Sequence, residues 1–146
     1  MAMPYSKILV GYDGSEQSVR ALRSAIELAS TFKAMLEVVH AYNAAPVIIG
    51  EAVAASPPAG AESMRLEAET VAAEARTIIA SATDMPIEVM ITDGDPGKRV
   101  VGLAKERGAD LIVVGSHGKG GFKELFTGSV SHYVTQHAPV PVLVVK

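Results

Sequence analysis

The sequence predicts a doubly wound α/β domain, in which helices cover both faces of a five-stranded parallel sheet. Short apolar runs alternate along the chain with longer segments whose apolar residues recur at helical spacing. The run from Leu111 to Val114 is apolar without alternation, as expected of a parallel strand that is covered on both faces. The segment 61–82 is long enough to form a full crossover helix, and such connections are right-handed.

The first half of the chain predicts two strands and one helix. Residues 8–12 form a short apolar run, and Ser15 can cap a helix that follows it. The apolar stripe of this helix consists of Val19, Leu22, Ile26 and Ala29. Residues 35–41 predict the second strand. Residues 43–60 are rich in Ala, Pro and Gly without a clear period, which favours an unstructured crossover or, alternatively, a lid over a ligand.

The second half continues the alternation. A helix is predicted over 61–82, and the alternating run 87–92 predicts a half-buried edge strand. Asp95 can cap the next helix, which has Pro96 in its first turn and Gly108 just past its end. The remaining elements are a strand over 110–114, a helix over 129–137 and a strand over 141–145.

A glycine-rich loop follows the fourth predicted strand. Its glycines are Gly115, Gly118, Gly120, Gly121 and Gly128. A main chain without Cβ atoms allows a ligand to approach closely, and a helix that begins near Ser129 directs free N–H groups towards the loop. Such a helix end favours an anion. Five glycines exceed what a turn needs, so the loop predicts a phosphate cradle, although a simple turn is the alternative.

The spacing within this loop resembles the signature of the universal stress protein family, specifically its ATP-binding branch. The signature is Gly, two residues, Gly, nine residues, Gly and then Ser, at Gly115, Gly118, Gly128 and Ser129. The resemblance extends over nearly the whole chain. Its other segments are the opening run 7–15, the turn 94–96, the strand 109–115 and the closing run 138–145.

The resemblance implies the strand order 3-2-1-4-5 and a nucleotide site where the order reverses. In that order the ends of the first and fourth strands, at Asp13 and Gly115, flank one crevice. The family resemblance implies ATP, or AMP, with Mg²⁺ bridging the phosphates. The ribose would bind Asp13, and the adenine would lie near Tyr12 and the backbone of Ala41. The phosphate end would comprise Gly115, Ser116, His117, Gly118, Gly128, Ser129, Val130 and Ser131.

Three of these residues have simpler interpretations. Tyr12 can equally be a half-buried residue at the end of the first strand. Asp13 precedes Gly14 and Ser15, so its carboxylate can instead serve only the start of the first helix. His117 can be a solvated loop residue rather than a phosphate contact. His132 and His137 lie five residues apart, hence on different faces of their helix, and show no metal-ligand spacing.

Several enzyme classes are disfavoured by missing motifs. The chain has no Gly-x-x-x-x-Gly-Lys-Ser/Thr run, no Gly-x-Gly-x-x-Gly after its first strand and no Gly-x-Ser-x-Gly elbow. No residue is recognisable as a positioned general base, so any hydrolysis is expected to be slow. Together with these absences, the family resemblance implies a regulatory ATP-binding protein of the stress response. The alternatives are a slow ATPase that uses His117 as base and a nucleotide-independent dimeric adaptor.

The composition limits the number of domains and the classes of partner that the chain can have. With 146 residues, of which 49% are hydrophobic, residues 1–146 are expected to form one domain. The net charge of −3, with scattered Lys and Arg, argues against a nucleic-acid surface. The absence of cysteine excludes disulfides and thiolate metal sites. Without a leader pattern or an apolar run near the ~18 residues that span a bilayer, we expect a cytoplasmic protein with no membrane segment.

The final strand predicts how the protein associates. Residues 141–145 are apolar on both faces, yet the implied order places them at an edge of the sheet. An open apolar edge favours pairing, so we expect a homodimer joined through this strand, as the family resemblance also implies. The alternative is a monomer whose edge is protected by Pro141 and Lys146.

Overall fold

The structure is a computed structural model that describes residues 4–43, 47–49, 52–54, 58–117 and 128–146. Strands and helices alternate along these residues as the sequence predicts. The elements are β1 (Lys7–Gly11), α1 (Glu16–Phe32), β2 (Met35–Tyr42), β3 (Val47–Ile49), β4 (Ala52–Ala54), α2 (Pro58–Ala82), β5 (Glu88–Asp93), α3 (Pro96–Arg107), β6 (Leu111–Gly115), α4 (Ser129–His137) and β7 (Val142–Val145).

The main sheet has five parallel strands in the order β5-β2-β1-β6-β7. Counting only the strands of this sheet gives 3-2-1-4-5, so the predicted fold class and strand order are confirmed. The order reverses between β1 and β6, which pair from Ile8 opposite Leu111 to Val10 opposite Val113. In an open α/β sheet, this reversal places a crevice at the carboxyl ends of the two central strands.

Two hydrophobic clusters cover the two faces of the sheet. Helices α1 and α2 pack on one face, and α3 and α4 pack on the other. The predicted apolar stripe of α1 is confirmed, since Leu22 and Ile26 are buried on the first face. Val100 and Leu103 of α3 are buried on the second face. The central strands are therefore covered on both sides, which is why their sequences are apolar without alternation.

The crossover after β2 differs from its prediction. Residues 43–60 were expected to lack structure, but Val47–Ile49 and Ala52–Ala54 form an antiparallel pair. Strands of three residues are too short to show a period in sequence, which explains why they were missed. Helix α2 also begins at Pro58 rather than near residue 61, because proline is compatible with the first turn of a helix. The role of this segment as a lid stays a prediction.

A charged network that the sequence analysis missed lies at the amino ends of the strands. Glu37, on β2, is only 3% exposed. Its carboxylate lies 2.8 Å from Lys7 Nζ and contacts Arg107, which also lies 3.2 Å from Glu88. Because a buried carboxylate requires compensation, these two cations account for its position. The network joins the end of α3 to β1, β2 and β5, at the edge opposite the cleft described below.

Candidate functional site

A cleft opens where the carboxyl ends of β1 and β6 lie side by side. Its wall combines the end of β2, the first turns of α3 and α4, and residues just after the two central strands. Seven of the eleven predicted site residues line it. These are Tyr12, Asp13, Ala41, Gly115, His117, Val130 and Ser131. The structure therefore brings together the two parts of the chain, near residues 13 and 130, that the sequence assigned to the two ends of one ligand.

The remaining predicted residues adjoin the cleft or lie outside the described part of the chain. Ser116 and Gly128 are buried, and Ser129 is exposed at the first position of α4. Gly118 lies outside the described residues. Since the turn from Gly115 to His117 leads directly from β6 into the glycine-rich loop, the predicted cradle begins at this cleft.

Asp13 both lines the cleft and organises the turn that follows β1. Its Oδ1 accepts a hydrogen bond of 2.9 Å from the Ser15 N–H, and its own N–H donates to Ser18 Oγ at 3.3 Å. Gly14 has φ = 85°, a left-handed conformation that favours glycine and allows the tight turn. The local role considered from sequence is therefore present, together with a position on the cleft wall.

Helix α4 begins beside the cleft, and its N-cap residue has no side chain. That residue is Gly128, and no side chain among the described residues accepts a hydrogen bond from the first turn. The Ser131 hydroxyl lies 3.1 Å from the Ser116 carbonyl and 3.0 Å from the Gly128 carbonyl, so it donates within the protein. Because the first N–H groups of a helix have no partner within the helix, this end suits an anion.

Ser116 joins three elements through its backbone. Its N–H donates to the Val145 carbonyl at 2.7 Å, and its carbonyl accepts from the Gly128 N–H and the Ser131 hydroxyl. Ser116 as a whole is only 6% exposed. Ser116 therefore holds the start of α4 against β6 and β7, a structural role that its position after a strand did not reveal.

Gly115 meets a packing requirement that the sequence analysis did not identify. A Cβ atom there would lie 2.9 Å from the backbone carbon of Gln17 in α1. The glycine therefore allows α1 to pack closely on the end of β6, since real Cβ atoms do not approach backbone at that distance. Close approach of a ligand is not the requirement that the structure reveals at this position.

Tyr12 and His117 contribute to the cleft in different ways. Tyr12 is 4% exposed and packs in the core formed with α1 and α2, so little of it can contact a ligand. Burial, followed by the carboxylates of Glu74 and Asp13, raises the pKa of the Tyr12 phenol, which is therefore protonated at neutral pH. His117 presents a buried Nδ1 that has no hydrogen-bond partner among the described residues.

The sequence analysis missed the apolar part of the wall. Its members come from the strands and from α3, and they are Val39, Pro96, Val100 and Val114. Pro96 had a usable signal, because a helix that begins after the third strand of the sheet starts at the same edge as the cleft. The sequence pattern predicts the valines as core residues. Their spacing does not distinguish residues that line a cleft from residues buried in the core.

A family model described as "Universal stress protein family" matches residues 4–146. The chain belongs to the universal stress protein family. Among curated relatives, universal stress protein YxiE of Bacillus subtilis is 35% identical over 150 residues, covering 97% of this chain and 99% of YxiE. The family membership and the α/β fold that the sequence predicted are therefore confirmed.

Two similar solved structures of universal stress proteins contain adenine nucleotides. One, in complex with cAMP, is 29% identical, with a TM-score of 0.72 and 97% of each chain covered. The other, from Archaeoglobus fulgidus in complex with dAMP, is 25% identical, with a TM-score of 0.71, covering 99% of this chain and all of that one. Their ligands are nucleoside monophosphates bound by proteins of this fold.

The described residues contain neither a membrane-spanning helix nor a metal-binding group of side chains. None of the helices in those residues is both long and apolar enough to cross a membrane. Over the same ranges, 4–43, 47–49, 52–54, 58–117 and 128–146, no three His, Cys, Asp or Glu side chains come together as a group able to hold a metal ion.

Proposed function

We propose that this universal stress protein binds an adenine nucleotide, ATP or AMP, and acts as a regulatory module of the stress response with little or no hydrolysis. The observation that carries the proposal is the convergence of Asp13 and the first turn of α4 on one cleft. A carboxylate suits the hydroxyls of a ribose, and an uncapped helix start suits phosphate. The two similar structures with cAMP and dAMP support the same ligand class.

The proposed ligand lies across the carboxyl ends of the central strands. Its ribose binds the Asp13 carboxylate, and its adenine lies near Tyr12 and the backbone of Ala41. Its phosphates bind the N–H groups of Gly118, Gly128, Ser129 and Val130, together with the Ser129 hydroxyl. Ser131 supports this end indirectly, because its hydroxyl donates to the carbonyls that hold the start of α4.

Mg²⁺ completes the proposed site when ATP is bound. Asp13 is the single carboxylate among the described residues that line the cleft, so the protein itself offers few hard oxygen ligands there. The phosphates must then supply most of the coordination, with water. The ion would neutralise phosphate charge between α4 and the ligand, and we assign no residue to it as a dedicated ligand.

The first experiment asks whether the purified protein holds nucleotide. The protein is denatured, the released compounds are identified by chromatography and mass spectrometry, and nucleotide-free protein is titrated with Mg·ATP and with AMP by calorimetry. We expect about one adenine nucleotide per chain, since the chain has one such cleft among its described residues. A chain that neither retains nor binds any adenine nucleotide contradicts the proposal and favours the adaptor function.

A slow nucleotide hydrolase is the second candidate, and His117 is the observation that favours it. The residue lines the cleft, and its buried Nδ1 lacks a partner in the described part of the chain. A histidine in that position can accept a proton from an attacking water. If this is its role, steady-state phosphate release from Mg·ATP is measurable and is lost in His117→Ala. Equal, near-background release from both proteins supports binding without hydrolysis.

We also propose that the protein forms a homodimer through β7. This strand is at one edge of the sheet and pairs with β6 alone in that sheet, and Leu143 is 39% exposed. We expect Leu143→Lys to shift the protein from dimer to monomer in analytical ultracentrifugation. Leu66→Lys is the control, because Leu66 is 55% exposed on α2, away from β7. A dimer that survives Leu143→Lys contradicts this interface. The cytoplasmic location stays a prediction.

A further inference from the structure

The structure points to His40 as a positioning residue for Asp13, an inference that rests on the proposed nucleotide site. His40 lies on β2 and is 8% exposed. It is not among the described residues that line the cleft. It borders a second cavity, beneath α2, which Asp13 and Ala41 also line. We infer that His40 acts through the backbone, by fixing the peptide that joins Tyr12 to Asp13.

That peptide lies just past the last hydrogen bond of the strand ladder. The Tyr12 N–H donates to the Val39 carbonyl at 2.9 Å, and β1 itself ends at Gly11. The next peptide unit consists of the Tyr12 carbonyl and the Asp13 N–H. Because a peptide unit is planar, its orientation sets the direction in which Asp13 leaves the strand. Since the hydrogen bonds of the sheet end before this peptide, side chains must fix its orientation.

Two buried side chains from different elements hold this peptide at its two polar groups. His40 Nδ1 lies 2.9 Å from the Tyr12 carbonyl, and Ser18 Oγ accepts from the Asp13 N–H at 3.3 Å. A carbonyl only accepts, so the Nδ1 atom of His40 carries the proton in this contact. The Ser18 hydroxyl donates in turn to the Ser15 carbonyl at 2.9 Å. The peptide is thus held from β2 and from α1.

The same contacts determine the position of the Asp13 side chain. With the peptide fixed, Oδ1 reaches the Ser15 N–H at 2.9 Å while the residue lines the cleft wall. Loss of the His40 donor would leave the buried Tyr12 carbonyl without that partner, an unfavourable state that rotation of the peptide relieves. His40 therefore controls the nucleoside end of the proposed site through its hydrogen bond to the Tyr12 carbonyl.

The test uses two substitutions at His40 and one elsewhere. His40→Leu removes the donor while keeping a branched side chain, and His40→Asn retains an N–H the same number of bonds from the backbone as Nδ1. His137→Leu is the matched control. His137 Nδ1 also contacts a carbonyl at 2.9 Å, that of Tyr133, at the far end of α4.

Amide hydrogen exchange at Asp13 is the decisive measurement, because it does not require a ligand. In His40→Leu we expect the Asp13 N–H to exchange at least about tenfold faster than in the unaltered protein, since the peptide is no longer held. His40→Asn and His137→Leu should retain its protection. Unchanged exchange in a folded His40→Leu protein overturns the inference, and so does equal loss of protection in His40→Asn, because both outcomes remove the role of the donor.

Calorimetry then connects this role to the ligand. We expect His40→Leu to weaken adenosine binding by roughly tenfold and to leave tripolyphosphate binding unchanged, because only the nucleoside end depends on Asp13. Equal weakening of both ligands overturns the assignment to Asp13. If the unaltered protein binds no adenine nucleotide, the proposed function fails, and the exchange measurement still decides whether His40 positions Asp13.

Discussion

Helices α1 and α4 both begin at the carboxyl ends of the strands, where the cleft lies, but their first turns differ in capping. Ser15 caps α1, accepting from the Ser18 N–H at 3.2 Å, and Glu16 adds a carboxylate in its first turn. Helix α4 follows Gly128, without a side-chain cap and without an acidic residue in its first turn. The start of α1 thus has a side-chain acceptor of its own, whereas the start of α4 follows a glycine that offers none and suits an external anion.

Helix α3 makes the comparison stronger. It too begins at this edge, and Asp95 caps it by accepting from the Lys98 N–H at 3.1 Å. Two of the three helix starts at the cleft therefore have their own acidic or hydroxyl partner. Among the described residues α4 has no such partner, and it follows the glycine-rich segment whose sequence predicts a phosphate cradle. This difference, more than the presence of a helix start as such, is the reason for proposing the phosphate end at α4.

The largest expected effect comes from making α4 resemble α1. Ser129 occupies the first position of α4, as Glu16 does in α1. In Ser129→Glu the new carboxylate lies where the phosphates are proposed to bind. We expect Mg·ATP affinity, measured by calorimetry, to fall roughly a hundredfold, because the new carboxylate repels phosphates that lie a few ångströms away. The helix itself should be slightly stabilised.

Glu16→Ser is the control for that substitution. It changes the same pair of residue types in the opposite direction, on a helix that is already capped. We expect a change in Mg·ATP affinity of less than about threefold, since an exposed charge outside the ligand contacts contributes little. If Ser129→Glu binds Mg·ATP as tightly as the unaltered protein, the phosphates do not lie at the start of α4.

The next effect separates the nucleoside end from the phosphate end. In Asp13→Ala we expect adenosine to bind roughly thirtyfold more weakly, which corresponds to loss of about 2 kcal/mol from hydrogen bonds to a charged group. Tripolyphosphate should bind as before. Asp13→Asn retains an oxygen for the Ser15 N–H, so it tests whether the charge or the local turn matters. Equal weakening of both ligands by Asp13→Ala contradicts the ribose role.

Much of this fold was predictable from the sequence because its signals are local. Asp95, Pro96 and Gly108 mark the two ends of α3, and the structure places the helix between them. The strand order came from the family resemblance rather than from any residue pattern. The short pair β3–β4 was missed because three residues show no alternation, and its two strands are paired by backbone contacts that no residue type encodes.

The site was predictable to the extent that it depends on residues near strand ends. Asp13 follows β1 and lines the cleft as expected. His40 and Ser18 were not recognised, because a histidine on an apolar strand and a serine in a helix read as ordinary core positions. Their contacts with the Tyr12–Asp13 peptide join segments 5 to 28 residues apart in sequence. Only the folded arrangement of β1, β2 and α1 brings them together.

The third effect concerns stability rather than binding. Ser15→Ala removes the side chain that caps α1, and we expect the free energy of unfolding to fall by about 1 kcal/mol. For a domain of this size the thermal midpoint should fall by roughly 3 °C, as measured by calorimetry. Ser129→Ala is the control, because Ser129 is not a capping residue. Like most surface substitutions, it should change the midpoint little, by less than about 1 °C. A similar loss in both variants would remove the distinction between the two helix starts.

The smallest effect tests the same distinction from the other side. Gly128→Ser supplies α4 with a hydroxyl that can accept from its first N–H groups, and the backbone there, with φ = −59°, is open to any residue. We expect a gain in stability of about 0.3 kcal/mol, since serine exceeds glycine at this position by only a few tenths. The new cap competes with phosphate for the same N–H groups, so Mg·ATP should bind about threefold more weakly. Tighter binding in Gly128→Ser would show that the ligand does not use those groups, and the contrast between α1 and α4 would then reflect helix capping alone.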